Sequence, residues 1–348
     1  MTVRIIENPA AHAGWAELVR LHPHASVFHL PGWLDALQQT YGFEPFVVTT
    51  SPGAMLENGL VACRVKNWTG HRLVSLPFSD HCEPLLGIGD SLSTLVEPLV
   101  EHARAEGWPS IELRPCVATN EGQRTAAGLG CGSEFVHHTL DLRGSAQAIF
   151  ERFHPSSTQR AIRKAEREGV TYESGVSDWF VGAFFKLFRL TRRRHGLPPQ
   201  PLVWFRNLVA CLGDRVAIHL ALLCGRPVAA IMTVSLKTTM VYKYGGSDGS
   251  FHRLGVMPFL FWKVIRQAMG QGCERLDLGR SDLDQPGLIA FKEHLGATSS
   301  KLTYLRWPES QRRASRAGWV AQAARRVVAY LPDDALDLAG RVLYRHFA

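Results

Sequence analysis

The stretch GRPVAAIMTVSLKTTMVYKYGGSDGSFHRLGVMPFLFWKVIRQAMGQGCERLDLGRSDLDQPGLIAFKEHL, Gly225–Leu295, decides how the rest of the chain is read. Its two apolar runs, Val228–Ser235 and Thr239–Tyr244, are each long enough for a buried strand, with Lys237-Thr238 between them. A loop rich in Gly, Ser and Asp follows, then a helical pattern over Gly255–Gly270, a short strand at Arg275–Leu278 and a last short helix carrying Phe291-Lys292. Strand, loop, helix, strand is a crossover unit, and such units place ligands where strand carboxyl ends meet helix amino ends. The chemistry is expected here.

Just upstream, the apolar stretch Val216–Leu236 has the length of a membrane span, but it contains His219 and is broken in the middle by the turn signal Gly225-Arg226-Pro227. Two strands of a hairpin are the better reading. Further back, Ser156–Glu168 opens with serines suited to N-capping and continues as a helix. At 100° per residue Arg160, Arg163, Lys164 and Arg167 share one arc, and Ala161, Ile162 and Ala165 lie opposite. One face is core; the other is a positive stripe suited to phosphates or simply to water. Asp178–Arg194 reads as a second amphipathic helix with Phe180, Ala183, Phe184, Leu187 and Thr191 inward, and it ends in Arg192-Arg193-Arg194-His195-Gly196, cations and a glycine stop. Leu202–Leu212 makes another helix.

The first 141 residues mix the same elements: helices at Trp33–Gln39 and Leu92–Glu106, strands at Gly59–Lys66, Arg72–Leu76, Ser110–Arg114 and Glu134–Leu142. The chain is therefore α/β, and 348 residues suffice for two domains of ordinary size. Its 46% hydrophobic and 20% charged content exclude global disorder. A formal charge of +8 favours an anionic partner such as a nucleotide, RNA, a phosphate-bearing donor or an acidic membrane surface. Seven scattered cysteines without a C-x-x-C pair argue against a disulfide framework or a thiolate metal site, and fit a reducing, cytoplasmic setting.

Three motifs call for a decision. Pro77–Leu86 (PFSDHCEPLL) sets Asp80, His81, Cys82 and Glu83 in succession; adjacent residues do not converge on one ion, so a solvated turn is expected and no metal site is assigned. Gly128-Leu129-Gly130-Cys131-Gly132 follows a helical run and precedes a strand, the wrong order for a dinucleotide loop, and reads as a helix stop and turn. Gly245-Gly246-Ser247-Asp248-Gly249 fits the G-x-S-x-G of a hydrolase elbow, yet further polar loop precedes the helix, and glycine-permitted turning explains the segment.

His252-Arg253-Leu254-Gly255-Val256-Met257 sits between strand and helix, where N-acetyltransferases keep a loop whose amides hold the pyrophosphate of coenzyme A. His stands where Gln or Arg is usual, and the bulky Met257 stands where a small residue is usual, so the diphosphate is crowded. Arg160–Glu166 with Gly169-Val170, Thr191–Pro198 (TRRRHGLP), Tyr244–Ser247, and Asp277–Arg280 with Gly287, Phe291-Lys292 and Gly296 together resemble the FemAB family of aminoacyltransferases, built on the GNAT fold. Phe28–Trp33 (FHLPGW) and Leu73–Phe78 resemble its paired amino-terminal domain.

That resemblance implies two tandem GNAT-like domains, at 1–143 and 144–308, with a basic amphipathic helical tail at 309–348 that packs on the second domain or touches a membrane surface. It implies N-acyl transfer by direct attack of a primary amine, with no covalent enzyme intermediate, no metal and no tightly bound cofactor. The donor is a charged tRNA or an acyl-CoA, and the acceptor a nucleotide- or lipid-linked sugar precursor of peptidoglycan or exopolysaccharide, at or near the inner face of the membrane. Lys292 and the Phe291 backbone amide match the family's Phe-Lys and are expected to hold the developing oxyanion, since a fixed cation beside it lowers the barrier. Asp277 and Arg280 flank a strand end and shape the site; Arg160, Arg163, Lys164 and Arg253 gather phosphates, and Tyr244 lines the acceptor channel. The rival classes are a coenzyme A or acyl-carrier-protein dependent N-acyltransferase and a non-catalytic module that binds an anionic glycan or a membrane surface.

Overall fold

The computed structural model describes residues 3–67, 70–117, 121–309, 328 and 330–346. By internal contacts the chain divides into two compact units, one of residues 1–135, 301–315 and 341–348 and another of residues 136–300 and 316–340. The sequence reading placed its divisions at 143/144 and 308/309.

In the first unit β1 (Arg4–Ile6), β2 (Glu44–Thr49), β3 (Leu60–Asn67) and β4 (Gly70–Val74) pair antiparallel in order. β5 (Ile111–Leu113) then joins β4 in parallel. The connection between β4 and β5 carries a helix, Leu92–Ala105, whose Leu92, Leu95, Val96, Leu99 and Ala103 are buried as the periodicity required. They pack on Phe46, Val48, Leu60 and Leu73, the inward-facing residues of the sheet.

PFSDHCEPLL is not a solvated turn. His81 and Cys82 are buried, Cys82 bridges the backbone of Arg114, and the Glu83 carboxylate accepts hydrogen bonds from the amides of Cys116 (2.6 Å) and Val117 (2.9 Å). Arg114, itself buried, donates to the carbonyls of Leu76 and Ser79 (2.7 and 3.0 Å) and so satisfies the backbone that the turn takes out of water.

β6 (Gly130–Asp141) leads into the second unit, where β7 (Thr171–Gly175), β8 (Val216–Leu223), β9 (Arg226–Leu236) and β10 (Thr239–Ser247) pair antiparallel in turn. β8 and β9 are the hairpin expected at Gly225-Arg226-Pro227, and no helix among the described residues is long and apolar enough to cross a membrane. After β10 the helix Val256–Gly270 returns the chain to β11 (Arg275–Asp282), which lies parallel to β10. The crossover unit read from Gly225–Leu295 is present. Finally β12 (Thr298–Trp307) goes back to the first unit and pairs antiparallel with β5.

The Val256–Gly270 helix packs with Ile162, Ala165, Leu276 and Leu278 in one core. The expected single helix Ser156–Glu168 is two pieces: a wide turn closed by Gln159 N to His154 O (3.2 Å), then a helix from Arg160 to Arg167. The Asp178–Arg194 helix buries Val181, Phe184, Phe185, Leu187 and Phe188, so its inward stripe is wider than the one read from sequence, with Phe180 and Ala183 only half-buried. A Cβ at Gly246 would lie 2.5 Å from the Leu187 backbone, so only glycine lets that helix lie against β10.

Most of the basic tail lies outside the described residues. Its last helix, Asp333–Leu343, is described, and its first half is anchored within the second unit by Arg189 and Arg193 on Asp333 and by Arg189 on Asp337 (3.3 Å).

Candidate active site

The end of β10, the start of the Val256–Gly270 helix and the Pro286–His294 helix enclose a cavity of about 470 Å³, all within the second unit. Its walls are largely apolar, with Tyr242, Met257, Phe261, Leu288 and Phe291 among the lining residues. The polar groups are Thr191, Arg194, His195, Ser247, His252 and Lys292. A mostly apolar pocket with a few convergent polar groups is the ordinary form of a small-molecule site.

Lys292 is 3% exposed, so its ammonium does not point into bulk solvent. It sits in the last turn of a helix that Pro286 starts, where a cation complements the carbonyl end of the helix dipole. Nζ donates to the carbonyls of Gly279 and Arg280, both at 3.0 Å. Those carbonyls are presented by a bend in β11 that needs Gly279 at φ +68°. Asp277 fixes the bend: its Oδ1 accepts hydrogen bonds from the Gly279 amide (2.7 Å) and from His137 Nε2 (2.8 Å). His137, Asp277, Gly279 and Lys292 therefore form one chain of contacts. Asp277 is buried and does not line the cavity; its position supports Lys292 rather than reaching a substrate. Beside it, His138 is fully buried with neither ring nitrogen hydrogen-bonded, and burial, together with the charge of Lys292, pushes its pKa down to about 4.

Tyr244 does not line the cavity. Its hydroxyl accepts from Trp204 Nε1 (2.9 Å) and Gln200 Nε2 (3.1 Å), and its ring meets Phe188 and Phe205 edge-on. Tyr242 takes the wall instead, against Phe261. Two residues apart on a strand should share a face; a bulge between Tyr242 and Tyr244 adds one residue and sends them to opposite faces.

The positive stripe also lies outside the cavity wall. Arg160, Arg163 and Arg253 are exposed, and Arg163 lies over the Phe150 ring at 5.6 Å. Lys164 is half-buried and donates to the Arg253 carbonyl (2.8 Å), tying the Arg160–Arg167 helix to the loop before Gly255. Gly255 has φ +75°, and a Cβ there would lie 2.4 Å from the Ala161 carbonyl oxygen. The stripe is thus packed beside the amino end of the cavity helix. Arg280 is half-buried and contributes its carbonyl to Lys292.

The sequence reading weighed Ser247 and His252 separately and assigned neither to the site. Ser247 Oγ and His252 Nε2 are 2.8 Å apart on the cavity wall, brought together by the short Gly249–Leu254 helix. Burial and the charge of Arg194 hold the His252 pKa below the ordinary imidazole range, partly offset by Asp248. The triple arginine is divided: Arg192 donates to the Pro198 carbonyl (3.3 Å), Arg193 pairs with Asp333, and Arg194 lines the cavity while donating to the Ser247 carbonyl (3.3 Å).

Residues 154–293 match the family model for the acetyltransferase (GNAT) domain. The UDP-N-acetylmuramoylpentapeptide-lysine N(6)-alanyltransferase of Weissella viridescens is 27% identical over 144 residues, 40% of this chain and 42% of that one. The match spans less than half the length of that relative. In fold, the chain is similar to FemX (TM-score 0.68, 14% identity, 87% of this chain and 97% of that one) and to L-PGS from Bacillus licheniformis (0.60, 15%, 94% and 100%). It is also similar to a tandem GNAT protein from the clavulanic acid biosynthesis pathway (0.53, 10%, 90% and 100%). Residues 154–293 thus carry a GNAT domain, in a chain that resembles the FemAB family in sequence and in fold as its motifs led one to expect.

Proposed function

We propose that this chain is an N-acyltransferase of the FemAB and GNAT type, in which a primary amine attacks an activated acyl or aminoacyl carbonyl directly. The observation that carries the reading is Lys292: a buried ammonium on the wall of an apolar cavity, held in place by two backbone carbonyls. Acyl transfer builds negative charge on the carbonyl oxygen, and a cation fixed before the reaction stabilises that charge without reorganising. Phe291 lines the same wall. Ser247 and His252 are suited to take the proton that the amine sheds, through the Ser247 hydroxyl to the neutral imidazole.

The acceptor we propose is an amine on a nucleotide- or lipid-linked envelope or polysaccharide precursor, in line with the name of the Weissella relative. Arg160, Arg163, Lys164 and Arg253 would gather its phosphates or those of the donor, a charged tRNA or an acyl-CoA. Peripheral membrane contact through the basic tail belongs to the same reading. The test is to incubate the purified protein with charged tRNA and, separately, with acyl-CoAs, each with UDP-N-acetylmuramoyl pentapeptide as amine. Consumption of the ester or thioester with amide formation supports the reading; no amide from any donor overturns it.

A further inference from the structure

The cavity beside Lys292 carries charge of one sign. Arg194 and Lys292 line it together with two histidines, and among the described residues no Asp or Glu does. Two carboxylates of the second unit that lie close to these groups are committed elsewhere. Asp248 engages Arg226 (2.9 Å) and the Ser250 amide (3.0 Å), and Asp277 engages His137 and the Gly279 amide. His195 and His252 are exposed residues of this wall, and partial desolvation first, then neighbouring arginine charge, still holds both below the ordinary imidazole range. A site that disfavours a proton on its own imidazoles disfavours a cation on a ligand for the same reason. The rest of the wall, Tyr242, Val256, Met257, Phe261, Leu288 and Phe291, offers an ammonium only the faces of its aromatic rings, a weak attraction beside two fixed cations, and no carboxylate.

We propose that this cavity holds the group being transferred, and that the group is an uncharged acyl chain rather than an aminoacyl group with a free α-ammonium. This rests on the acyl-transfer reading and narrows its donor. The carbonyl lies at the Lys292 end and the chain runs along Phe261, Met257 and Leu288. The acceptor enters as the free amine, because the same cations lower the fraction protonated. Its nitrogen lone pair forms the C–N bond, and the bond from the carbonyl carbon to the donor's sulfur or ester oxygen breaks. The leaving atom departs with that electron pair and ends with the proton the nitrogen loses.

Three eight-carbon probes of equal length, octanamide, octanoate and octylamine, separate the cases by calorimetric titration at pH 7. Octanamide and octanoate are expected to bind, and octylammonium at least tenfold more weakly than octanamide. Leu288→Glu, at a site 38% exposed and so tolerant of a charge, should bring octylammonium tighter by tenfold or more and weaken octanoate. Octylammonium binding within threefold of octanamide to the unaltered protein overturns the proposal. So does a Leu288→Glu protein with all three affinities unchanged, since the probes then bind elsewhere. Turnover divides the two readings: amide formed from alanyl-tRNA but not from octanoyl-CoA sinks the acyl-chain assignment and leaves acyl transfer standing. Amide from neither sinks acyl transfer, while the three titrations still decide the charge preference of the cavity.

Discussion

Replacing Lys292 with methionine separates its two jobs. Methionine has nearly the same length and packs readily in an apolar wall, so the change removes the charge while largely keeping the volume. The carbonyls of Gly279 and Arg280, each 3.0 Å from Nζ, lose their shared donor. Leaving a buried carbonyl unsatisfied costs about 1–3 kcal/mol, and the relief of no longer burying an ammonium offsets part of that. A net loss of about 2–3 kcal/mol in unfolding free energy is expected, read by urea titration. Catalysis loses more: removing one preorganised oxyanion donor costs about 10²–10³ in kcat. The assay is the initial rate of amide formation at a temperature where circular dichroism shows both proteins fully folded, with saturating donor. A rate within threefold of the unaltered protein refutes the oxyanion role. A rate that falls only in proportion to the unfolded fraction makes Lys292 a structural brace and nothing more.

His252→Gln should alter the pH profile as well as the rate. The proposed proton acceptor is the neutral imidazole, whose pKa is held below 6.5 by burial first and then by the Arg194 charge, with Asp248 favouring protonation; kcat/KM should therefore steepen downward as pH falls below 6.5. The variant should lose that extra steepening; keeping it would show that another group titrates. Arg163→Glu with Lys164→Glu should weaken binding of UDP or tRNA by tenfold or more at 50 mM salt and flatten its salt dependence, measured by fluorescence anisotropy. An unchanged salt slope leaves the stripe as a wetted helix face. His29 and His219 are buried, with pKa values held by desolvation at about 4 against 6.5 in the unfolded chain. The unfolded chain binds the extra protons, so the stability each contributes is full above pH 6.5 and is lost as pH falls towards 4, by about 3 kcal/mol per histidine. Urea midpoints at pH 7, 6, 5 and 4.5 check this, and His219→Gln should remove its share of the slope.

The fold was legible where apolar spacing was strong and local. β8 to β11 and the Val256–Gly270 helix follow from long apolar runs, with Gly225-Arg226-Pro227 marking the β8–β9 turn, although the β9–β10 turn at Lys237-Thr238 carries neither Gly nor Pro. The Leu92–Ala105 helix is equally plain, its apolar face closed by residues every three or four positions. What failed depended on distant partners. His81 and Cys82 are buried because Arg114 reaches back to Leu76 and Ser79, and nothing within PFSDHCEPLL announces that arginine. Tyr244 was assigned to the cavity from the family resemblance and its place at a strand end, and no composition signal marks the extra residue at Lys243 that turns it away. Lys292 and Phe291 came from the family resemblance, not from periodicity. Ser247 and His252 meet only after Gly249–Leu254 winds into its short helix; a serine and a histidine five residues apart, with one glycine between them, was the signal available.

The irregularity between Tyr242 and Tyr244 acts as a phase shifter for β10. Upstream of it, a residue's parity points one way; downstream, the same parity points the other, so the strand serves two neighbourhoods with one kind of amino acid. Ring chemistry at 242 can be varied to suit the ligand chamber without disturbing the phenolic hydroxyl that Trp204 and Gln200 hold at 244. Deleting Lys243 would make the two tyrosines strand neighbours, which regular alternation already sends to opposite faces, so both assignments would survive; inserting a second residue there would instead bring the two rings to one face.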